Sequence, residues 1–290
     1  YKRGHGTRIR DKRQVGNLSY KRGFTLLEVI LALSLSLVVI AAVGSAIHMY
    51  TKLFDSGRTN IEEAQLARAI LRRMADDIRG VVLAGSPKIF SAGLDVPYLM
   101  SLGDQRGALL EAWQAFFGAA RRLGELRIPV VAAITGHAPA GGCVLALCCD
   151  YRIMACSEDP ERPFAIGLNE TQVGLVVPEG IQMLMRRVVG EHRAERLLVA
   201  GDMVPDARAL AIGLVDELTG IDAVVPRAIA WLQALLALPH QPMLQTRAIA
   251  RRAVVEALSP EYIQLDAFVD QWWEADTQAA LQGLLAKLKK

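Results

Sequence analysis

One carboxylate in this 290-residue chain stands apart: Glu170 is the sole charged residue between Phe164 and Val177. A carboxylate among apolar neighbours loses hydration, which disfavours its charged form and makes it a better base near neutrality. Upstream, the apolar run Val130 to Ile134 follows Pro129 and leads into Gly136-His137-Ala138-Pro139-Ala140-Gly141-Gly142, and Val144 to Leu147 begins a helix just beyond. A strand, two glycines and a helix start aim backbone N–H groups outward at the positive end of the helix dipole, where developing negative charge is favoured. A second small-residue segment, Phe90-Ser91-Ala92-Gly93-Leu94-Asp95, lets the backbone approach a ligand closely, and Gly93 suits a strained turn there. The competing readings are structural: a cap or surface carboxylate for Glu170, and close helix-on-strand packing for Gly141-Gly142.

The elements that must hold these residues can be placed by pattern. Val81-Val82-Leu83 reads as a buried strand ended by Gly85, Ser86 and Pro87. Leu109, Leu110, Trp113, Phe116, Phe117 and Ala120 share one helix face. The end of the chain reads as helical over 207–218, 224–238, 246–258 and 260–290, the last with Trp272 and Trp273. Cys143, Cys148, Cys149 and Cys156 fall within fourteen residues of buried-looking sequence and read as reduced core thiols. The five histidines show no pair at metal spacing, so no metal is expected, and His137 reads as a packing residue. Asp95 and Asp150 read as turn or cap residues. No Gly-x-x-x-x-Gly-Lys phosphate loop occurs.

Charge and hydropathy change sharply at the N-terminal end. Residues 1–23 carry eight Lys or Arg against Asp11 alone, which leaves the remainder acidic at −4 in a chain whose total is +3. The main body is therefore no nucleic-acid binder by charge. After Gly23-Phe24-Thr25-Leu26-Leu27-Glu28 come nineteen uncharged residues, Val29 to Ile47, enough to cross a bilayer core at roughly 1.5 Å per residue. The basic side should stay cytoplasmic and whatever follows His48 should be exported. From Ile61 to Ile78 apolar residues recur at helical spacing.

The run Arg22 to Val29 resembles the processing site of type IV pilins and type II secretion pseudopilins. That resemblance implies peptidase cleavage after Gly23, methylation of Phe24 and use of Glu28 as an intramembrane carboxylate paired with a neighbouring subunit's terminal amine. An unpaired carboxylate inside an apolar span is costly, which fits such a role.

Beyond Arg79 the resemblance changes. Phe90 to Asp95, Pro139-Ala140-Gly141-Gly142-Cys143 and Cys149 to Ala155 together resemble the crotonase superfamily, and Gly167-Leu168-Asn169-Glu170-Thr171-Gln172 is similar to its 3,2-trans-enoyl-CoA isomerases. Gly190 to Arg196 and Gly213 to Asp216 fit the same family. The resemblance implies a substrate that is an acyl-CoA thioester, with coenzyme A part of the substrate and no separate cofactor. It implies an oxyanion hole from the amides of Ala92 and Gly141, substrate contacts along Ala92, Gly93, Leu94, Asp95, Val96 and Gly141, and Glu170 as catalytic base. Hydratases of the superfamily use a second glutamate just after the Gly-Gly turn; here that position is Val144, which favours isomerase over hydratase. Glu179 is a possible substitute, although an exposed loop residue is the plainer reading. Lys88 and Lys287 are candidates for the coenzyme's phosphates.

The resulting expectation is an α/β crotonase-like core with C-terminal helices, preceded by one long pilin-like transmembrane helix. Residues 1–23 form a leader, 24–78 the pilin-like helix, 79–204 the core and 205–290 a helical part that packs against neighbouring subunits in trimers or hexamers. Relatives carry roughly sixty further residues before the strand at Val81, so the core is expected to be truncated and its sheet to have an open edge. Tyr1 in place of Met is in keeping with a fragment. The two parts also conflict: a pilin helix at 24–47 implies a single-pass inner-membrane protein, whereas acyl-CoA chemistry is cytoplasmic. A join near Asp77 to Leu83 is implied, with a hydratase, a pseudopilin subunit and an inert fusion as the alternatives to an isomerase of fatty acid beta-oxidation.

Overall fold

The computed structural model describes residues 78–288. The readings made above for 1–77, including Gly23, Phe24, Glu28 and the span 24–47, lie outside the described residues, as does the side chain of Lys287.

Two four-stranded sheets form the framework. The first runs β1 (Val81–Ala84), β3 (Val130–Ile134), β5 (Tyr151–Ala155) and β8 (Glu217–Thr219), all parallel. The second runs β2 (Lys88–Ile89), β4 (Gly136–Pro139), β6 (Ala165–Gly167) and β7 (Val204–Pro205), with only the β6–β7 pair antiparallel. β3 sits second in its sheet, and all five of its residues are buried, as an unbroken apolar run in a parallel sheet requires. A single residue, Thr135, separates β3 from β4, so the chain passes at once from one sheet to the other and carries the Gly-Gly segment to the end of β4. Among the described residues β1 pairs on one side only, and Val81, Val82 and Leu83 are half-buried where β3 is sealed. That is the open edge the resemblance implied.

The helices are α1 (Val96–Ser101), α2 (Arg106–Glu125), α3 (Gly141–Leu147), α4 (Glu179–Val189), α5 (Glu191–Ala200), α6 (Asp206–Ala211), α7 (Val224–Leu236), α8 (His240–Ala250), α9 (Arg252–Ala257), α10 (Pro260–Ile263), α11 (Leu265–Asp270) and α12 (Ala275–Leu288). α2 buries Leu109, Trp113, Phe117, Ala120 and Gly124 along one stripe, the spacing the sequence shows. α7 covers β1, β3 and β5 with Val224, Ala228 and Leu232. Among the described residues no single helix is long and apolar enough to cross a membrane; α7 and α8 together reach that composition but are bent by 111°.

Two helical expectations are corrected. The run 207–218 is helical only to Ala211; Gly213 turns the chain at φ +77, and Glu217 and Leu218 pair with Ile153 and Met154 as strand β8. Periodicity could not separate these because a short apolar run serves either element. The run 246–258 breaks at Arg251, between α8 and α9. There the guanidinium is buried, donating to Cys148 O at 2.5 Å and to Asp150 Oδ1 at 3.1 Å. Asp150 also accepts the Val130 N–H at 2.7 Å and pairs with Arg247 at 2.8 Å. One carboxylate thus anchors the start of β3 to the C-terminal helices. The four cysteines are free thiols, three of them buried.

Candidate active site

The loop after β2 is held by Phe90 N–H donating to His137 O at 2.9 Å and by Gly93 N–H donating to Ser91 Oγ at 3.3 Å. Gly93 lies at φ +84, where a side chain would be strained. This loop meets the start of α3 closely. A Cβ on Gly93 would lie 3.5 Å from Gly141 N, and one on Gly141 would lie 3.1 Å from Gly93 Cα and 3.0 Å from Phe116 Cε2. A Cβ on Gly142 would come within 2.5 Å of Ser91 O. The glycines are therefore needed because two backbones touch. Ala140, the residue before α3, sits at φ 43 and ψ −112, an outlier that costs on the order of 1–3 kcal/mol and persists because its surroundings hold it. Its N–H donates to Gly167 O at 2.8 Å. Among the described residues the N–H groups of Ala92 and Gly141 have no hydrogen-bond partner, the latter because the first amides of a helix lack an acceptor one turn back.

These backbones open onto a cavity of about 400 Å³ whose wall includes Ala92, Gly93, Leu94, Asp95, Val96 and Gly141 on one side and Asn169 and Glu170 on another. Glu170 starts a 3-10 turn, Glu170–Val173, directly after β6. Leu175 N–H donates to Glu170 O at 3.0 Å, and Gly174 closes the turn in the left-handed region at φ 76. The carboxyl Oε2 is sealed and has no hydrogen-bond partner. Burial pushes the Glu170 carboxyl up from 4.5 to about 7, and a hydrogen bond from its own backbone offsets a little of that rise.

Among the described residues the other charged member of the wall is Asp95, and it is occupied otherwise: its Oδ1 accepts the Tyr98 N–H at 3.0 Å as the N-cap of α1. Val144 lines the cavity and is buried, so the position after the Gly-Gly turn is apolar in space as in sequence. Glu179 is exposed at the start of α4 and Lys88 is exposed on β2; neither lines the cavity. His137 accepts the Ala165 N–H on Nδ1 at 3.2 Å, bracing β6.

The remainder of the wall was not foreseen as a site. Trp113, Phe116 and Phe117 from α2 meet Phe268, Trp272, Leu281 and Leu284 from the C-terminal helices. Trp113 packs edge-on to Phe268 with ring centres 4.7 Å apart. The aromatic stripe on α2 announced a core face, and nothing local in the sequence distinguishes a core face from a cavity wall.

The family model for enoyl-CoA hydratase/isomerase matches residues 62–290. The chain belongs to this enoyl-CoA hydratase/isomerase family. The match of this family member reaches back from β1 into the stretch that sequence reading gave to the pilin-like helix. A second match, to the prokaryotic N-terminal methylation motif, covers residues 18–44 and does not overlap the first. The family member is 34% identical over 224 residues to human mitochondrial enoyl-CoA delta isomerase 1, covering 76% of this chain and 72% of that protein. It is 36% identical over 174 residues to a probable enoyl-CoA hydratase, echA17, of Mycobacterium avium, covering 60% and 64%. The crystal structure of human mitochondrial delta3-delta2-enoyl-CoA isomerase superposes with a TM-score of 0.66 at 34% identity, over 73% of this chain and 81% of that one.

Proposed function

We propose that this family member converts 3-enoyl-CoA to trans-2-enoyl-CoA in fatty acid beta-oxidation, with Glu170 as its one catalytic base. The thioester oxygen accepts the N–H groups of Ala92 and Gly141. The Glu170 carboxylate removes a proton from the carbon next to the carbonyl, and the electron pair moves onto the oxygen as an enolate. The same carboxyl then returns the proton to the carbon two bonds further along, the double bond shifts, and the carboxylate is regenerated. Two preorganised amides suit the enolate, since losing one such donor typically costs about 3–4 kcal/mol of barrier. A base whose pKa lies near the operating pH exchanges the proton in both directions with little penalty.

The observation that carries this reading is the single unpartnered carboxylate in the cavity. Hydration needs a second acid or base to handle water, and the cavity offers Val144 in that position and an Asp95 already engaged as a cap. The hydratase reading keeps the support of the echA17 similarity. Incubating the protein with a 3-enoyl-CoA and, separately, with a trans-2-enoyl-CoA decides between them. Double-bond migration without water addition, abolished in Glu170→Gln, is expected; full turnover in that variant overturns the assignment.

The methylation-motif match supports cleavage after Gly23 and methylation of Phe24, with Glu28 pairing in a membrane assembly. Incubation with a prepilin peptidase tests this, and an intact chain afterwards rejects it. A trimer or hexamer through the C-terminal helices, inner-membrane anchoring by residues 24–47 and a cytoplasmic site for the enzyme part complete the proposal.

A further inference from the structure

Glu170 projects a carboxyl whose Oε2 has no hydrogen-bond partner, so its direction depends on the backbone of the turn that carries it. That turn is gripped from two sides. On one, Thr171 Oγ1 donates to Leu198 O of α5 at 3.2 Å. On the other, Thr277 Oγ1, on a residue only 1% exposed, donates to Gly174 O at 2.6 Å. The contact is close along the backbone as well, since a Cβ on Gly174 would lie 2.6 Å from Thr277 Cα.

Thr277 belongs to the first turn of α12, and Leu281 and Leu284 follow it at helical spacing on the same face. Those two leucines form part of the cavity wall. One helix face therefore touches the base-bearing turn at one end and the apolar part of the cavity at the other. Apart from Leu281, the residues of α12 described beyond Gln278 are exposed or half-buried. The first turn is secured by Thr277 and by Gln278 Nε2 donating to Trp272 O at 2.6 Å.

Resting on the isomerisation reading, we infer that Thr277 is a positioning residue for Glu170, and that α12 links filling of the apolar cavity by an acyl chain to alignment of the base. An acyl chain long enough to press on Leu281 and Leu284 binds the docked helix better than the undocked one, and a ligand shifts such an equilibrium only through that difference. Longer 3-enoyl-CoA substrates therefore gain in kcat as well as in KM. A short acyl chain leaves alignment to the Thr277 hydrogen bond alone.

The test is steady-state kinetics of the full chain with a short and a medium-chain 3-enoyl-CoA, comparing wild type, Thr277→Val and Thr277→Ser at a temperature where all three are folded by circular dichroism. Thr277→Val keeps the side-chain shape and removes the hydroxyl. Its kcat on the short substrate is expected to fall about 10- to 100-fold, the cost of misplacing a reacting group by about an ångström, with KM little changed. The loss is smaller on the medium-chain substrate, and Thr277→Ser restores most of the rate. An unchanged kcat, or an equal loss on both substrates that Ser does not rescue, overturns the inference. A wild type that adds water instead of moving the double bond defeats the isomerisation reading, while the same ratios measured on hydration still judge Thr277. Amide hydrogen exchange across Gly174 and Leu175 gives an arm independent of turnover: faster exchange in Thr277→Val, slowed again by a medium-chain acyl-CoA, is expected, and identical exchange counts against the link.

Discussion

Glu170→Gln should stabilise the protein, and by an amount that grows with pH. The structure seals the Glu170 carboxyl and raises it from 4.5 to about 7, mainly through lost hydration. A folded-state pKa above the unfolded one means that the native state holds the proton more tightly. Stability from this group is therefore complete below the unfolded value and is lost as pH climbs through the window from 4.5 to about 7. Above that window the ionised native state carries a penalty of about 3 kcal/mol, at 1.36 kcal/mol per pKa unit. A glutamine of the same shape never ionises and escapes it. Linkage puts the advantage of Glu170→Gln at about 1 kcal/mol near pH 5 and about 3 kcal/mol near pH 8.5. A fixed offset from seating an amide in the cavity cancels between the two conditions. Urea unfolding of both proteins, kept in one non-ionic detergent because of the apolar stretch at Val29 to Ile47, supplies the difference. A variant whose advantage is the same at both pH values would refute the claim that burial perturbs this carboxyl. Loss of turnover together with gain of stability is what a site held in a strained state for function predicts.

Three further outcomes follow from the same geometry. The kcat/KM of isomerisation should rise with pH and be half-maximal near the Glu170 value of about 7, because only the ionised base removes a proton; a profile flat from acid to neutral excludes Glu170 as the base. Asp150→Asn should cost about 3–5 kcal/mol in denaturation, since it leaves the buried Arg251 and Arg247 guanidinium groups without their carboxylate; a loss within experimental error shows the cluster to be dispensable. Gly142→Ala should lower kcat/KM about 100-fold, because a Cβ 2.5 Å from Ser91 O pushes the Ala92 loop off α3 and misplaces the amides; wild-type kinetics in that variant would show that the two backbones yield freely.

The groups that can do chemistry were legible in the chain itself. Glu170 is the one charge in a long neutral run, and the small residues at Ala92-Gly93 and Gly141-Gly142 mark places where backbone must come near backbone or ligand. β3 was legible for the same local reason, being five apolar residues behind a proline. β8 was not, because Glu217 and Leu218 become a strand only by pairing with β5, more than sixty residues earlier. His137 read as packing, yet its ring accepts from Ala165 in the strand leading to the base, a partner that sequence distance hides.

What the sequence determined alone is which residues are able to act and which stretches are apolar, small or helical, because those properties reside in a residue and its near neighbours. Only the tertiary structure decided that Ala92, Gly141 and Glu170 share one cavity, that Trp113 faces Trp272 across it, and that Thr277 grips the turn bearing the base. Such meetings depend on how helices and sheets pack over separations of a hundred residues or more, and close packing, not local preference, selects among them.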